Sequence, residues 1–478
     1  MSKKKMLSIA DAEKLSQSEI RRIYKDNISE TQTELFNRFG FGREIIKKAI
    51  GCYLYTARNR KILDATGGIG VLNHGHNHPR ILKARELFAG KNSMEVHKSF
   101  HSPYLAALSA NVSRILPKEL THSYFPNSGA ESVESAMKMA YKYHGGKRDF
   151  ILHSDISFHG KLFGSGSITG SSEINFKFPK IPHTDSFKYN EIDDFVEVLN
   201  RYTTKAGACD VYAVIVEPFN VSSMKACSSE FLIKLRKICT KYGIVLIFDE
   251  VYSGWCKTGN LFYFMNTKQV VPDILCYAKS FGGGKASIAG LTARKKIYQK
   301  AYDNRNDVML QSTTYYGFGE ETITAIESIN IIVEDHYVEK SKKIGKLFER
   351  SLSRLHQDFP NNIEEVRGAG ALWGIKLKSL GSEKSLNRII KLSPFRKEKN
   401  LVEKLRTASI IDYCYREYSV LLFISTNQDV LLKISLPLIA TEVEVDLIEN
   451  ALRETLKIDP TKLLLKFIRA NYTRSLNG

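Results

Sequence analysis

The chain has 478 residues, of which 43% are hydrophobic and 25% are charged, and its formal net charge is +19. These fractions are ordinary for globular proteins and exclude a disordered or collagen-like chain. Its apolar runs have the length of strands, as in Val211–Val216, and none approaches the roughly 20 residues that cross a bilayer. No membrane partner is therefore expected, and a chain of this length can bury a core without disulfide or metal staples.

Lysine and arginine are spread along the whole chain, with local concentrations at Lys391–Lys404 and Lys462–Arg474. Both concentrations lie outside the region where chemistry is expected. A solvated basic surface is therefore the simpler interpretation, and no nucleic-acid partner is expected. An anionic substrate or weak binding to polyanions is the alternative.

The seven cysteines are scattered, odd in number and never spaced as CxxC. This pattern argues against a disulfide framework and against a structural zinc site. The basic N-terminus, Met1–Leu7, is not followed by the apolar core of a signal peptide. We therefore expect a protein of the reducing cytoplasm.

The first part of the chain is polar, and residues 16–60 are predicted to be helical and basic. Asp64–Pro79 is rich in glycine and histidine, which predicts a loop that leaves a short strand. From about residue 80 to 330, amphipathic helical segments alternate with short apolar runs. The clearest are the helices Ser102–Ile115 and Ala130–Tyr143 and the strands Phe150–His153, Val211–Glu217, Ile244–Asp249 and Ile274–Ala278. This alternation predicts a doubly wound, mainly parallel α/β sheet.

After about residue 335 the pattern changes to long helices with few strands. Predicted helices span Glu339–Leu355 and Val443–Leu456, and predicted strands span Leu372–Leu377 and Val430–Ile434. This pattern indicates a smaller α+β domain.

Three segments are therefore predicted along the chain. Residues 76–334 form a large α/β domain, and residues 335–478 form the small domain. Residues 1–75 form an N-terminal segment that packs with the small domain, because chain termini often lie close together.

Polar residues follow the predicted strands of the large domain. In an open α/β sheet, ligands bind outside the carboxyl ends of the strands. The segments at those ends, or opening a helix beside them, are Pro126–Glu131, Ser157–Gly160, Glu217–Pro218, Phe248–Glu250 and Ala278–Gly284. One lysine, two strand-end carboxylates, an aromatic ring and a helix N-terminus are thus expected along one edge.

Three of these elements have a physical interpretation of their own. Ser128 and its neighbours open a helix whose N–H groups and dipole suit a phosphate, although simple N-capping is the alternative. Asp249 follows a continuous apolar strand, so it needs a partner in the form of a helix cap or a cofactor. Lys279 also follows an apolar run and precedes three glycines, and a partly buried lysine has a lowered pKa that makes it a nucleophile. Lys285 serves as the comparison, an ordinary surface lysine.

Taken together, Asp249–Gly259, Pro272–Ile274 and Lys279–Gly284 resemble the signature of the class III aminotransferases, pyridoxal-phosphate (PLP) enzymes of fold type I. Supporting matches are Asn73–Pro79, Asn127–Glu131 with Glu134 and Lys138, Phe158–Gly160, Glu217–Pro218, Arg367–Gly370 and Leu372–Ile375. The matches run in order from about residue 64 to 438, so the resemblance covers most of the chain. It implies that the large domain binds PLP.

The resemblance also implies roles for individual residues. Lys279 would bind PLP as a Schiff base and then carry the proton between the substrate Cα and C4′ of PLP. Asp249 would pair with the pyridinium nitrogen and keep the ring an electron sink. Ser128, Gly129 and Ala130 would hold the phosphate.

Other residues would surround the cofactor ring. Phe158 would stack on one face and Val251 would press on the other. Tyr252 stands where the family often has Gln near the phenolic oxygen, and its hydroxyl could substitute as a donor. Glu217 and His159 are expected among the cofactor-binding residues, and His159, beside Phe158, is expected to fix the loop rather than to catalyse. Thr314 would reach the phosphate from the other subunit, which implies a homodimer.

The chain departs from the family pattern at several positions, none of which is Lys279 or Asp249. Lys257 and Lys433 stand where the family usually has arginine, and Gly317–Glu321 replaces a common turn after Thr314. Because lysine does not reproduce the geometry of a carboxylate-binding arginine, these departures affect substrate recognition. The segment Leu377–Thr426 contains no recognisable motif. Its basic stretch is either a surface helix or a lining of the entrance for an acidic substrate.

The histidines of Asn73–Pro79 could be taken for a metal site. A closed site needs about four ligands, and no acidic or cysteine ligand is expected nearby. No metal is therefore predicted.

Transamination is the leading prediction: an amino acid or ω-amine donor gives its amino group to a keto acid such as 2-oxoglutarate or pyruvate by ping-pong kinetics. The alternative is another PLP reaction on the same scaffold, as an aminomutase, epimerase, decarboxylase or lyase. A non-catalytic or polyanion-binding protein on this scaffold is a third hypothesis.

Overall fold

The computed structural model of the protein describes residues 6–38, 41–95, 99–170, 177–379, 400–426 and 428–476. The strands are β1 (Ile46–Ile50), β2 (Tyr53–Thr56), β3 (Lys61–Asp64), β4 (Leu120–Tyr124), β5 (Phe150–Ser154), β6 (Thr184–Phe187), β7 (Val211–Val216), β8 (Phe219–Asn220), β9 (Lys225–Ala226), β10 (Val245–Asp249), β11 (Ile274–Tyr277), β12 (Gly290–Arg294), β13 (Ile363–Ala369), β14 (Leu372–Leu377), β15 (Val420–Leu421), β16 (Phe423–Ser425) and β17 (Leu431–Ser435).

The α-helices are α1 (Ile9–Glu13), α2 (Gln17–Asn27), α3 (Glu30–Arg38), α4 (Gly67–Gly70), α5 (Pro79–Ala89), α6 (Pro103–Ile115), α7 (Gly129–Tyr143), α8 (Phe163–Ser167), α9 (Ile192–Arg201), α10 (Ser229–Tyr242), α11 (Lys295–Tyr302), α12 (Gly319–Glu334), α13 (Tyr337–Asp358), α14 (Leu401–Tyr418), α15 (Glu442–Leu456) and α16 (Pro460–Leu476). Short 3-10 helices span Phe41–Arg43, Tyr263–Asn266 and Lys279–Gly282. Over the ranges described, each helix is too short or too polar to cross a lipid bilayer.

A seven-stranded sheet with the order β4-β12-β11-β10-β7-β5-β6 forms the centre of the large domain. Its strands run parallel except β12, which is antiparallel to both of its neighbours. Every residue of β7 and β10 is buried, as expected for parallel strands covered on both faces. The predicted mainly parallel α/β sheet is confirmed.

Helices cover both faces of this sheet. Val245 and Ile247 of β10 pack in one apolar cluster with residues of α7. Leu246 and Phe248, which point to the opposite face, pack in a second cluster with residues of α10. Successive strand residues thus alternate between the two helical layers. Because the helices cover the faces of the sheet, the carboxyl ends of the parallel strands are left open at one edge.

Two smaller sheets come from the ends of the chain. The first, with the order β13-β14-β17-β16, is antiparallel throughout. The second, with the order β1-β2-β3-β15, joins the N-terminal strands to β15 by parallel pairing of β3 with β15. The helical prediction for residues 16–60 is correct for α2 and α3 but wrong for β1 and β2.

Side chains also link the N-terminal segment to the C-terminal part of the chain. The Arg60 side chain donates from Nε to Ser419 Oγ at 3.0 Å and stacks on the Tyr415 ring at 4.6 Å. The Tyr53 hydroxyl donates to Glu444 Oε1 at 2.6 Å. These contacts join residues 53 and 60 to residues 415, 419 and 444. The division into three segments with boundaries at 75 and 334 stays a prediction.

Candidate active site

A cavity of about 750 Å³ lies at the open edge of the central sheet. Ten of the predicted site residues line it: Ser128, Gly129, Ala130, Phe158, His159, Glu217, Asp249, Val251, Tyr252 and Lys279. They meet there because the segments that carry them leave neighbouring parallel strands at their carboxyl ends or open a helix beside them.

Asp249 ends β10 and is held by two donors. His159 Nδ1 lies 2.7 Å from Asp249 Oδ2, and the Val251 N–H donates to Asp249 Oδ1 at 3.0 Å. The side chains are buried, with His159 3% and Asp249 4% exposed. Each carboxylate oxygen keeps a second lone pair, so the group can still accept from a cationic donor in the cavity.

Glu217 follows β7 and forms the second carboxylate of the cavity. Its Oε2 accepts from the Phe158 N–H at 2.8 Å and from Asn220 Nδ2 at 2.6 Å. Burial, with the nearby Asp249 carboxylate adding to it, raises the pKa of Glu217 to about 7, although His159 opposes the shift. Glu217 therefore fixes the loop that carries Phe158. Its second contact, with Asn220, was not indicated by any sequence motif.

Lys279 follows β11 and is half-buried, whereas Lys285 is exposed as expected. Lys279 Nζ lies 4.4 Å from the centre of the Tyr252 ring. Burial lowers the pKa of Lys279, against the opposing effect of Asp249 and Glu217. The backbone of Lys279 is in the left-handed region, with φ of +50°, a conformation that costs a non-glycine residue about 1–3 kcal/mol.

The N-terminus of α7 forms one end of the cavity. The Glu131 N–H donates to Ser128 Oγ at 3.2 Å, and Glu131 Oε2 accepts from the Ser128 N–H at 3.1 Å, which makes a capping box. The N-capping role of Ser128 is thus present. The N–H groups of Gly129 and Ala130 belong to the first helical turn and have no acceptor within the helix.

Gly129 lies against the cavity wall at Val251. A Cβ atom at position 129 would stand 2.7 Å from Val251 Cγ1, closer than carbon atoms approach. Glycine therefore lets the helix start next to the side chain that lines the cavity.

Lys433, on β17, is a buried lysine in the cavity wall and is only 5% exposed. Its Nζ lies 5.4 Å from the centre of the Tyr252 ring and 5.0 Å from that of Phe423. It forms no ion pair with any residue that the structure describes. Burial, together with the nearby charge of Lys279, lowers the pKa of Lys433 to about 7, and Glu217 opposes this shift.

Sequence reasoning missed part of the wall, which includes Phe423, Ile424, Ser425 and Thr426 as well as Ile69, Val71 and Ser222. The four residues from 423 to 426 belong to the segment without a motif, so the end of that segment does line the cavity. Residues 401–418 of the same segment form α14, much of which is buried. The stretch 380–399 lies outside the described residues.

Thr314 does not line the cavity in a single chain. It is exposed and lies in a turn segment before α12. Its neighbours Val308, Met309, Leu310 and Tyr315 are apolar and between 50% and 71% exposed. An apolar surface of this kind is typical of an interaction site.

The histidines of residues 73–79 have separate partners. His76 Nε2 lies 2.9 Å from Asp64 Oδ2, so the expectation that no acidic side chain is nearby was wrong. His74 is buried between Ser328 Oγ at 2.8 Å and the Tyr337 hydroxyl at 3.1 Å. Across the described ranges, no group of three or more His, Cys, Asp or Glu side chains is placed to hold a metal ion.

The chain matches the family model described as aminotransferase class III over residues 42–423. Its fold is similar to that of a transaminase from the marine bacterium Virgibacillus, with a TM-score of 0.79 and 20% identity over 94% of this chain and 99% of that chain. It is also similar to the ornithine aminotransferase of Toxoplasma gondii ME49, with a TM-score of 0.78 and 19% identity over 95% and 99% of the two chains. A third structure, a PLP-bound amine transaminase from an uncultivated Pseudomonas species, has a TM-score of 0.76 and 20% identity over 87% and 94%.

Proposed function

Because the chain belongs to the class III aminotransferase family, whose members use PLP to move an amino group from a donor to a keto acid, we propose that Lys279 holds the cofactor and that Asp249 pairs with its ring nitrogen. When bound, PLP supplies an electron sink for the charge that develops at the substrate Cα. The observation that carries the proposal is that the Lys279 amine, the Asp249 carboxylate and the N-terminus of α7 line one cavity.

The donors of this cavity fit a pyridine ring with an aldehyde and a phosphate. The N–H groups of Gly129 and Ala130, with the helix dipole behind them, suit a phosphate dianion. Asp249 keeps lone pairs free for a protonated ring nitrogen, and its position is fixed by His159. Phe158 and Val251 line the same space and would pack against the ring.

Lys279 has two tasks in this proposal. Its lowered pKa favours the neutral amine, which would hold the aldehyde group of PLP. With PLP and substrate bound, the Nζ atom of Lys279 would be the base that takes the proton from the substrate Cα and the acid that returns it on the cofactor side. Asp249 acts throughout as the fixed negative charge opposite the ring nitrogen.

Lys433 is the group that binds the substrate carboxylate. Its ammonium is buried in the cavity wall with aromatic rings beside it and no ion pair among the described residues. A buried charge is costly unless it is paired, so a carboxylate of the donor or of the keto acid supplies the missing partner. A single ammonium holds a carboxylate less rigidly than the fork of an arginine.

The enzyme acts as a homodimer in which Thr314 completes the other subunit's phosphate site. The exposed apolar residues beside Thr314 support a second copy as the partner of this surface. All seven cysteines are free thiols, which supports a reducing compartment such as the cytoplasm.

A single-turnover experiment tests the proposal. The PLP-loaded protein is mixed with an amino donor but no keto acid, and the product is measured by chromatography. An aminotransferase converts one donor per active site and stops until a keto acid is added. Continued turnover without a keto acid would contradict transamination and favour another PLP reaction.

A further inference from the structure

His74 lies in a chain of hydrogen bonds that ends next to Lys279. His74 Nε2 lies 2.8 Å from Ser328 Oγ, which in turn donates to the Ser280 carbonyl oxygen at 3.1 Å. On its other side, His74 Nδ1 lies 3.1 Å from the Tyr337 hydroxyl. The chain therefore joins the loop after α4, helices α12 and α13, and the turn that carries Lys279.

The direction of each hydrogen bond follows from one constraint. The Ser328 hydroxyl has a single proton, and the Ser280 carbonyl oxygen can only accept, so that proton points to Ser280. Ser328 Oγ must then accept from His74, which places the imidazole proton on Nε2. His74 Nδ1 is left as an acceptor for the Tyr337 hydroxyl.

The His74 imidazole is neutral in this position. Its side chain is 1% exposed, and Ser328 and Tyr337 are fully buried. Burial, with the nearby positive charges of His78, Lys257, Lys340 and Arg80, lowers the pKa of His74 to about 3. Above that pH the imidazole is neutral, and its hydrogen bonds to Ser328 and Tyr337 keep the single ring proton on Nε2.

The turn that receives the last hydrogen bond is strained. Lys279 has a left-handed backbone, and such a conformation persists only where the surroundings hold it. Ser280 is held at both ends, because its hydroxyl donates to the Gly70 carbonyl at 2.7 Å and its carbonyl accepts from Ser328 and from the Gly283 N–H.

We propose that His74 is a positioning residue for Lys279. By donating from Nε2, it directs the Ser328 hydroxyl to the Ser280 carbonyl and so fixes the turn that presents the Lys279 amine to the cavity. This inference rests on the proposed role of Lys279 as the PLP-binding residue. It gives His74 of the histidine-rich segment a role that needs no metal.

Two substitutions of His74 separate this role from simple packing. In His74→Gln the amide nitrogen reaches the place of Nε2 and can still donate to Ser328, whereas in His74→Asn the amide lies near the place of Nδ1 and cannot. We expect the dissociation constant of PLP from the full-length protein, measured by equilibrium dialysis, to rise about tenfold in His74→Asn and in Ser328→Ala. His74→Gln should stay within about twofold of the wild type.

Thermal unfolding of the PLP-free protein is measured for every variant, and His356→Asn, on α13 outside the network, is the matched control. Equal changes in PLP affinity for His74→Gln and His74→Asn, or no change in either, would overturn the inference. If His74→Asn does not fold, the dissociation constant of PLP is compared between Ser328→Ala and the wild type. An unchanged constant in Ser328→Ala would then overturn the inference. Borohydride reduction of the loaded wild type, followed by peptide mapping, tests the premise separately, because labelling of a lysine other than Lys279 would contradict the proposed function itself.

Discussion

His159 Nδ1 lies 2.7 Å from Asp249 Oδ2, and both side chains are buried in the wall of the same cavity. A carboxylate oxygen only accepts, so the imidazole carries a proton on Nδ1. The Nε2 atom of the same ring has no hydrogen-bond partner in the described part of the chain. His159 therefore acts on Asp249 and orients its carboxylate toward the cavity.

Replacing His159 should weaken catalysis through Asp249. In His159→Leu the carboxylate loses a buried donor, and we expect kcat/KM to fall about tenfold and PLP to bind more weakly. The control is His153→Leu, because His153 is also buried, on β5, but bonds to the Ser154 carbonyl and does not line the cavity. Equal losses in both variants would indicate a packing effect only.

Lys279→Ala should remove the nucleophile and the proton carrier together. We expect activity to fall by about 10³-fold or more, and borohydride should no longer attach PLP to the protein. Lys285→Ala, six residues away and exposed, should behave like the wild type. Retained activity in Lys279→Ala would require a different cofactor lysine.

The KM for the keto acid should depend on the protonation of Lys433. Because the pKa of Lys433 is lowered to about 7, the ammonium that binds a carboxylate is lost as pH rises through that value. KM should therefore increase above about pH 7, by up to tenfold per pH unit. In Lys433→Arg the increase should disappear, since arginine stays charged. Steady-state kinetics from pH 6 to 9 would measure this change in KM. If KM in Lys433→Arg rises with pH as it does in the wild type, Lys433 is not the group that binds the carboxylate.

Mixed dimers test whether Thr314 acts across subunits. Lys279→Ala and Thr314→Ala subunits are each expected to be poorly active alone. After mixing and subunit exchange, a dimer with one subunit of each kind contains one site with both wild-type residues. Activity should then reappear, to about a quarter of the wild-type level if the subunits mix at random. If activity does not recover although mass spectrometry verifies the exchange, Thr314 contributes to the active site of its own subunit or to no active site.

Lys257 should make stability depend on pH. It is fully buried and donates to the Leu436 carbonyl at 2.8 Å, and burial lowers its pKa from 10.5 to about 7. Between these values the unfolded chain binds a proton that the folded protein does not, so the free energy of unfolding rises with pH in this range. The Tm advantage of Lys257→Met over the wild type should be largest near pH 7 and shrink toward pH 10. The exposed Lys285→Met serves as control, and a difference that is constant with pH would refute the expectation.

The strand ends could be predicted from the sequence because parallel strands buried on both faces are continuous apolar runs. Asp249, Glu217 and Lys279 each follow such a run, and the structure brings all three to one cavity. The resemblance of the motifs to a family then assigned them roles that no single spacing could have given.

Other features depend on contacts that the local pattern does not contain. In β1, Ala49 is the one residue that is not exposed, so Ile46–Ile50 has no alternation that marks a strand, and its pairing with β2 decides its conformation. His74 finds its partners Ser328 and Tyr337 at separations of 254 and 263 residues. The cavity residues 423–426 belong to a segment without a motif. The proposed role of Thr314 involves a second chain, which no pattern within one chain can locate.

The pairing of β3 with β15 has a consequence for folding during synthesis on the ribosome. Arg60 and Ser419, which meet beside this pairing, are 359 residues apart, so β3 leaves the exit tunnel long before its partner is made. At ordinary rates of synthesis the wait is on the order of tens of seconds. During that time one edge of the nascent N-terminal sheet stays open to other chains, and the cavity wall contributed by residues 423–426 and by Lys433 is missing. The cofactor can therefore be held in its complete site only after translation of the chain is nearly finished.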